Sequence, residues 1–300
     1  MQWLIISIFA YFLNAFAVLI DKFLLRRTIP NPAVYAFYVS VLGLLVFIFA
    51  PFSFQFPNLL VLILSLAAGV IFIFALLLFY FLLKRGEVSR IVPLVGGLSP
   101  VFILVLAWLV LHETLSMTQI WAFSLILLGG WLIVWERKKE KITFPWLLFF
   151  LSLLAAFLFA LSHVLSKFVY INFSFTSGLI WRSVGGFLGG IILFLIPQNR
   201  KKIIETVKKT PGNKSFIFFF GQACAAISFV LVNYAFSIGS ISLVTALSGV
   251  QYIFLFLMVI IFSQKFPHIL KEELTTRTVW QKALSLILIS LGVSLLFLKI

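Results

Sequence analysis

Long apolar runs separated by short polar segments organise the whole chain. A spanning helix needs roughly 20 apolar residues. Runs of that order recur over residues 2–20, 33–51, 59–83, 88–111, 117–135, 144–168, 174–196, 215–237, 241–263 and 279–298. The pattern predicts an all-α polytopic membrane protein of ten transmembrane helices. The opening run, MQWLIISIFAYFLNAFAVLI, has neither a basic leading region nor a small-residue cleavage site, so it reads as a retained first span.

The polar segments differ in charge, and that difference adds a topology. The first connection carries Lys22, Arg26 and Arg27, the third Lys84, Arg85 and Arg90, and the fifth ERKKEK (Glu136 to Lys141). The seventh, QNRKKIIETVKKTPGNK, and the ninth, with Lys265, Lys271 and Arg277, continue the series, whereas PFSFQFPN, HETLSMTQ and SIGS in the second, fourth and eighth contain no Lys or Arg. The positive-inside rule then places the odd connections in the cytoplasm and both termini outside the cytoplasmic membrane. The net charge of +15 is thereby read as topology, not as a nucleic-acid surface. With 63% hydrophobic and 10% charged residues, little length is left for a soluble domain. The single cysteine, Cys224, excludes an internal disulfide and a cysteine-cluster metal site.

The two ends of the chain resemble each other. AFAVLIDKF (Ala15 to Phe23) aligns with ALSHVLSKF (Ala160 to Phe168), and GEVSRIVPLVGG (Gly86 to Gly97) with GSISLVTALSGV (Gly239 to Val250). HETLS recurs loosely as KEELT (Lys271 to Thr275), and Gly130 falls opposite Gly292. The order of these matches divides the chain into residues 1–140 and 141–300, each of five spans. Five is odd, so halves that fold alike are inserted in opposite senses, the inverted-repeat plan in which a midplane site opens to either side.

In the fourth span, Pro93 and Pro100 stand seven residues apart with Gly96 and Gly97 between them, and all four share one helical face. Prolines remove backbone donors and small residues admit close approach, so this face is expected to be a hinge and a cavity wall. The segment GEVSRIVPLVGGLSPVFILVLAWLVLHETLSMTQIWAFSLILLGG, Gly86 to Gly130, resembles the EamA-type repeat of the drug/metabolite transporter superfamily. Its polar loop, proline-bearing fourth span, Glu-x-Leu-Ser turn and Gly-ended fifth span carry that resemblance, and a more degenerate copy follows. The resemblance implies a ten-helix secondary transporter or exporter of small metabolites with a central cavity between the halves. Its characterised members usually keep both termini in the cytoplasm, the opposite of what the loop charges predict here.

Candidate cavity groups are few. Arg182 lies well inside the seventh span, where an arginine is costly unless it faces protein or water; its repeat partner is Phe37. It reads as a substrate group or as an arginine that holds helices together. His163 and Lys167 share a face of the sixth span, the first suited to proton coupling and the second to an anionic group, unless His163 is only hydrogen-bonded and Lys167 only snorkels. Asn14 faces the same alternatives, a cavity group or an interhelical hydrogen bond. Thr245, Ser248 and Tyr252 form a polar stripe on the ninth span, either a contact seam or a cavity wall, and Tyr80 and Tyr234 are roughly equivalent across the repeat. Glu113, in the turn motif, is assigned to capping or loop pairing in preference to binding.

No Walker A loop, zinc-protease motif, cysteine–histidine spacing or nucleophile elbow occurs, so no catalytic residue, metal site or cofactor is expected. The reading is a secondary transporter of a small polar metabolite working by alternating access, with Arg182 and Lys167 together leaning toward a carboxylate or phosphate group on it. A membrane-embedded enzyme, a lipid-handling protein and a non-transporting assembly subunit remain the alternatives.

Overall fold

The computed structural model describes residues 2–27, 31–85, 88–134, 146–209, 212–263 and 276–298. Gly86, Glu87, the Glu136 to Lys141 loop and the Lys271 to Thr275 segment lie outside these residues, as does the side chain of Pro93. In chain order the helices are α1 (Gln2–Arg27), α2 (Pro32–Leu42), α3 (Ala50–Ser53), α4 (Leu59–Arg85), α5 (Val88–Leu111), α6 (Met117–Val134) and α7 (Trp146–Asn172). They continue as α8 (Phe175–Leu195), α9 (Pro197–Lys209), α10 (Gly212–Ile238), α11 (Ile241–Ala246), α12 (Ser248–Ser263) and α13 (Thr276–Leu298). A 3₁₀ stretch, Gly43–Phe49, joins α2 to α3.

Every regular element among the described residues is helical, as the apolar runs require: in lipid, only a helix or a closed barrel satisfies its own backbone. Among the described residues, seven stretches are long and apolar enough to cross a membrane: Gln2–Ile20, Pro32–Ser53, Leu59–Arg85, Leu94–Leu111, Trp146–Asn172, Phe175–Leu195 and Phe219–Ile238. Three shorter apolar helices, Met117–Leu132, Ile241–Leu255 and Ala283–Leu296, lie within the other expected spans. The outer surface is apolar: Phe9, Leu45, Ile48, Trp108, Trp121, Trp146 and Trp280 are each more than half exposed, the exposure expected when the solvent is lipid.

The helical course differs from the apolar pattern in three places. The second span tightens into 3₁₀ geometry from Gly43. The seventh connection contains a helix, α9, which begins with Pro197 and buries Ile203 against Val34, Tyr35 and Tyr80. The ninth span breaks at Leu247, although it contains no proline, while α5 runs unbroken through Pro93 and Pro100.

The main helix contacts pair α1 with α10, α4 with α7 and α8, α5 with α7, and α6 with α13; α2 also lies on α8. Glycine sets the closest of these. A Cβ added at Gly69 would stand 2.0 Å from Arg182 O, and one at Gly185 would stand 2.2 Å from Leu66 O. The backbones of α4 and α8 therefore touch directly, which in a bilayer replaces the hydrophobic effect as the source of helix association.

Candidate functional site

That close crossing positions Arg182. Its guanidinium is carried by α8 into the space between α4, α7 and α10 and is 2% exposed. The guanidinium carbon lies 4.8 Å from the centroid of the Phe72 ring and 4.6 Å from that of Phe229. Nη2 lies 3.3 Å from Ser162 Oγ, a long contact with a hydroxyl that donates to Ala68 O at 2.8 Å. Nε has no hydrogen-bond partner among the described residues, and no carboxylate is among the partners of Arg182. Cation–π contacts satisfy part of the charge. They leave the Nε–H donor unmet.

His163 follows Ser162 on α7 and lies beside this group. Its ring stands 6.1 Å from Phe72, 6.5 Å from Phe159 and 5.3 Å from Phe236, and its Nδ1 is buried without a partner. Two turns further along α7, Tyr170 Oη donates to Asn233 Oδ1 at 2.9 Å, which ties α10 to α7, and Asn233 Nδ2 donates to Phe229 O of its own helix at 2.7 Å. Arg182 Nε and His163 Nδ1, buried nitrogens of different helices, thus stand among aromatic rings without a hydrogen-bond partner among the described residues.

The remaining predicted residues fall in separate places. Lys167 is buried and donates to Phe236 O at 2.5 Å and Gly239 O at 2.9 Å, so it caps the C-terminal end of α10, where the helix dipole favours a cation. It also lines an open cavity of about 490 Å³ with Trp3, Gln119, Ser237 and Ser240. Asn14 Nδ2 donates to Gln251 Oε1 at 3.0 Å, an interhelical bond between α1 and α12. Tyr11, one turn before Asn14, donates to Val244 O at 3.0 Å, close to the break at Leu247. Thr245 Oγ1 donates to Ile241 O and Ser242 O of its own helix at 2.8 and 3.1 Å. Back-bonding of this kind bends helices, and the break follows two residues later.

Ser248 and Tyr252 do meet the glycines of α5. They line a small void with Gly96, Gly97, Gly130 and Trp131, and a Cβ at Gly96 would stand 2.2 Å from Tyr252 Oη. Pro100 is buried in the same helix. Tyr80 packs edge-to-face on Tyr35 at 4.7 Å, and Gln222 Nε2 donates to Tyr35 Oη at 3.0 Å. Tyr234 is 38% exposed with its ring on Phe175, away from Arg182.

On the side where α5, α7 and α10 end, polar contacts link the first part of the chain to the second. The chain reverses at His112, with φ of 52°, and Glu113 N donates back to Ala107 O at 3.1 Å. Glu113 then accepts from Ser240 Oγ at 2.6 Å and from the backbone N–H groups of Ile241 and Ser242 at 3.3 Å, a carboxylate on the N-terminus of α11. Nearby, Ser177 Oγ accepts from Gln55 N at 3.0 Å and donates to Ser53 O at 2.8 Å.

Sequence reading missed Phe72, Phe229 and Ser162, the immediate surroundings of Arg182. Among 37 phenylalanines nothing marks two of them as a cation's walls. A usable signal was present in GGFLGG, Gly185 to Gly190, where glycines four apart mark a face of close helix contact directly after Arg182.

Over 99% of its length the chain is similar in fold to a solved crystal structure, of which it covers 96%, with a TM-score of 0.69 at 15% identity. No curated protein matches it. Residues 1–135, α1 to α6, match the model of the EamA-like transporter family, and that part of the chain is similar to this family of membrane transporters.

Proposed function

We propose that the chain is a secondary transporter of a small polar metabolite across the cytoplasmic membrane, working by alternating access between residues 1–140 and 141–300. The observation that carries this reading is an unequal pair of helix contacts. Under the repeat alignment α1 corresponds to α7, α2 to α8 and α4 to α10. The contact of α1 with α10 then corresponds to that of α7 with α4, and both are extensive. The contact of α4 with α8 corresponds to that of α10 with α2, yet the first is backbone against backbone and the second is slight. Halves of one plan held in two conformations are what alternating access requires, because exchanging those conformations moves the opening to the other face.

Arg182 and His163 lie at the centre of this arrangement, where the tight α4–α8 crossing and the α7–α10 contact converge. The Glu113–Ser240 contact joins residues 1–140 to 141–300 on the face where α5, α7 and α10 end, beside the open cavity lined by Lys167 and Ser240. The loop charges place that face, with both termini, outside.

The test is transport by the purified protein in proteoliposomes, with Glu113→Cys and Ser240→Cys introduced together in a Cys224→Ala background. Cross-linking the pair with a short bifunctional thiol reagent should stop counterflow, and a cleavable linker should restore it on reduction. Undiminished counterflow in the cross-linked protein would refute an opening on that face.

A further inference from the structure

We propose that the edge of Arg182 formed by Nε and Nη2 receives an anionic group, carboxylate or phosphate, of the transported metabolite, whose body lies along Phe72, Phe159, Phe229 and Phe236. This rests on the transporter reading above and narrows its substrate class.

Three observations converge on it. Arg182 is 2% exposed and, among the described residues, has no carboxylate partner and keeps Nε unbonded. An arginine side chain stays protonated in a protein, so its charge is present in the low-dielectric interior and has to be met by something else. Second, Phe72 and Phe229 occupy the ring-facing approaches to the guanidinium, at 4.8 and 4.6 Å, which leaves its edge as the way in. Nε–H and an Nη2 hydrogen point to the same side of the planar fork, the geometry that binds two oxygens of a carboxylate or phosphate side by side. Among the described residues the one partner on that side is Ser162 Oγ at 3.3 Å, whose own proton is directed to Ala68 O. Third, His163 brings a further unpartnered buried nitrogen to the same aromatic walls.

If Arg182 served only to join helices, its donors would be expected to end on carbonyls or a carboxylate of a neighbouring helix, as the Nζ of Lys167 does on Phe236 O and Gly239 O. The contrast between the two buried cations of the same region separates a cation used for packing from one left available. The phenylalanine walls exclude a second charged group around the site and favour an apolar or planar body behind the anionic end.

The proposal is tested on the full-length purified protein by thermal melting with acetate, benzoate, inorganic phosphate and glycerol 3-phosphate, each against a neutral counterpart (acetamide, benzamide or glycerol). At least one anion should raise the melting temperature by several degrees where its counterpart does not, because a ligand bound to the folded state stabilises it by mass action. The carboxylate and phosphate arms identify which group is read. Arg182→Gln should abolish the difference, and Arg182→Lys should keep a weakened one, since lysine holds the charge without the fork. Should Arg182→Gln fail to fold, Ser162→Ala, which frees Nη2, should retain or strengthen the response. A wild-type protein that no anion stabilises beyond its counterpart overturns the proposal, and so does a response unchanged in Arg182→Gln. Counterflow in proteoliposomes separates the two readings. Flux of neutral metabolites without any anion response leaves a transporter and removes the anionic class, whereas an Arg182-dependent anion response without flux keeps the site and removes transport.

Discussion

The α4–α8 crossing gives a test that needs no substrate, because two adjacent glycines make opposite demands. A Cβ at Gly185 would lie 2.2 Å from Leu66 O and 2.6 Å from Leu66 Cα, both backbone atoms that cannot rotate away. A Cβ at Gly186 would find nothing nearer than Ile73 Cγ1 at 3.7 Å, an ordinary van der Waals contact. Gly185→Ala therefore forces α4 and α8 apart by about 1.2 Å, the difference between 2.2 Å and the 3.4 Å at which ordinary contact begins. Overpacking on that scale costs about 1–3 kcal/mol, and more where backbones must separate. For a chain of this size each kcal/mol lowers the melting temperature by roughly 2–4 °C. Melting in detergent, followed by fluorescence-detected gel filtration, should place Gly185→Ala several degrees below wild type and Gly186→Ala beside it. Gly69→Ala should behave like Gly185→Ala and also impair transport, since its Cβ would strike Arg182 O. Equal melting of the Gly185 and Gly186 variants would refute the backbone-to-backbone crossing.

Three further outcomes follow from other contacts. Glu113→Ala removes the acceptor of three hydrogen bonds at the start of α11 and should cost about 1–2 kcal/mol; faster thiol labelling of Ser240→Cys in that variant reports the loss, and unchanged labelling speaks against the contact. Gly96→Ala should destabilise by driving a Cβ to 2.2 Å from Tyr252 Oη, and Tyr252→Phe, which deletes that oxygen, should recover most of the loss; melting of the double variant no higher than that of Gly96→Ala would contradict the packing. A cysteine at Lys138 should resist a membrane-impermeant maleimide in intact cells if the loop-charge topology holds, and ready labelling would reverse it.

The sequence by itself determined the membrane class, because apolar runs of spanning length leave lipid as the only solvent that fits them, and all-helical structure follows from backbone satisfaction. It also singled out Arg182 and His163, since a charge or an imidazole among Phe, Leu and Ile stands out by composition alone. Glu113 was legible as a cap for a similar reason: a lone carboxylate in an apolar turn needs a donor, and helix ends supply them. Tertiary structure decided the rest. For Lys167 and Asn14 the sequence left a cavity role open beside snorkelling and an interhelical hydrogen bond respectively, and only the approach of α10 and α12 gave each its partner. Prolines mark α5 as the weaker helix, yet the break occurs at Leu247, where Thr245 turns its hydroxyl onto its own backbone and Tyr11 of another helix donates to Val244 O. Phe72 and Phe229 became the walls of Arg182 only because Gly69 and Gly185 let α4 and α8 close to backbone contact. Which phenylalanine meets a cation depends on the separation and rotation of packed helices, and neither quantity is encoded in the hydropathy of any one of them.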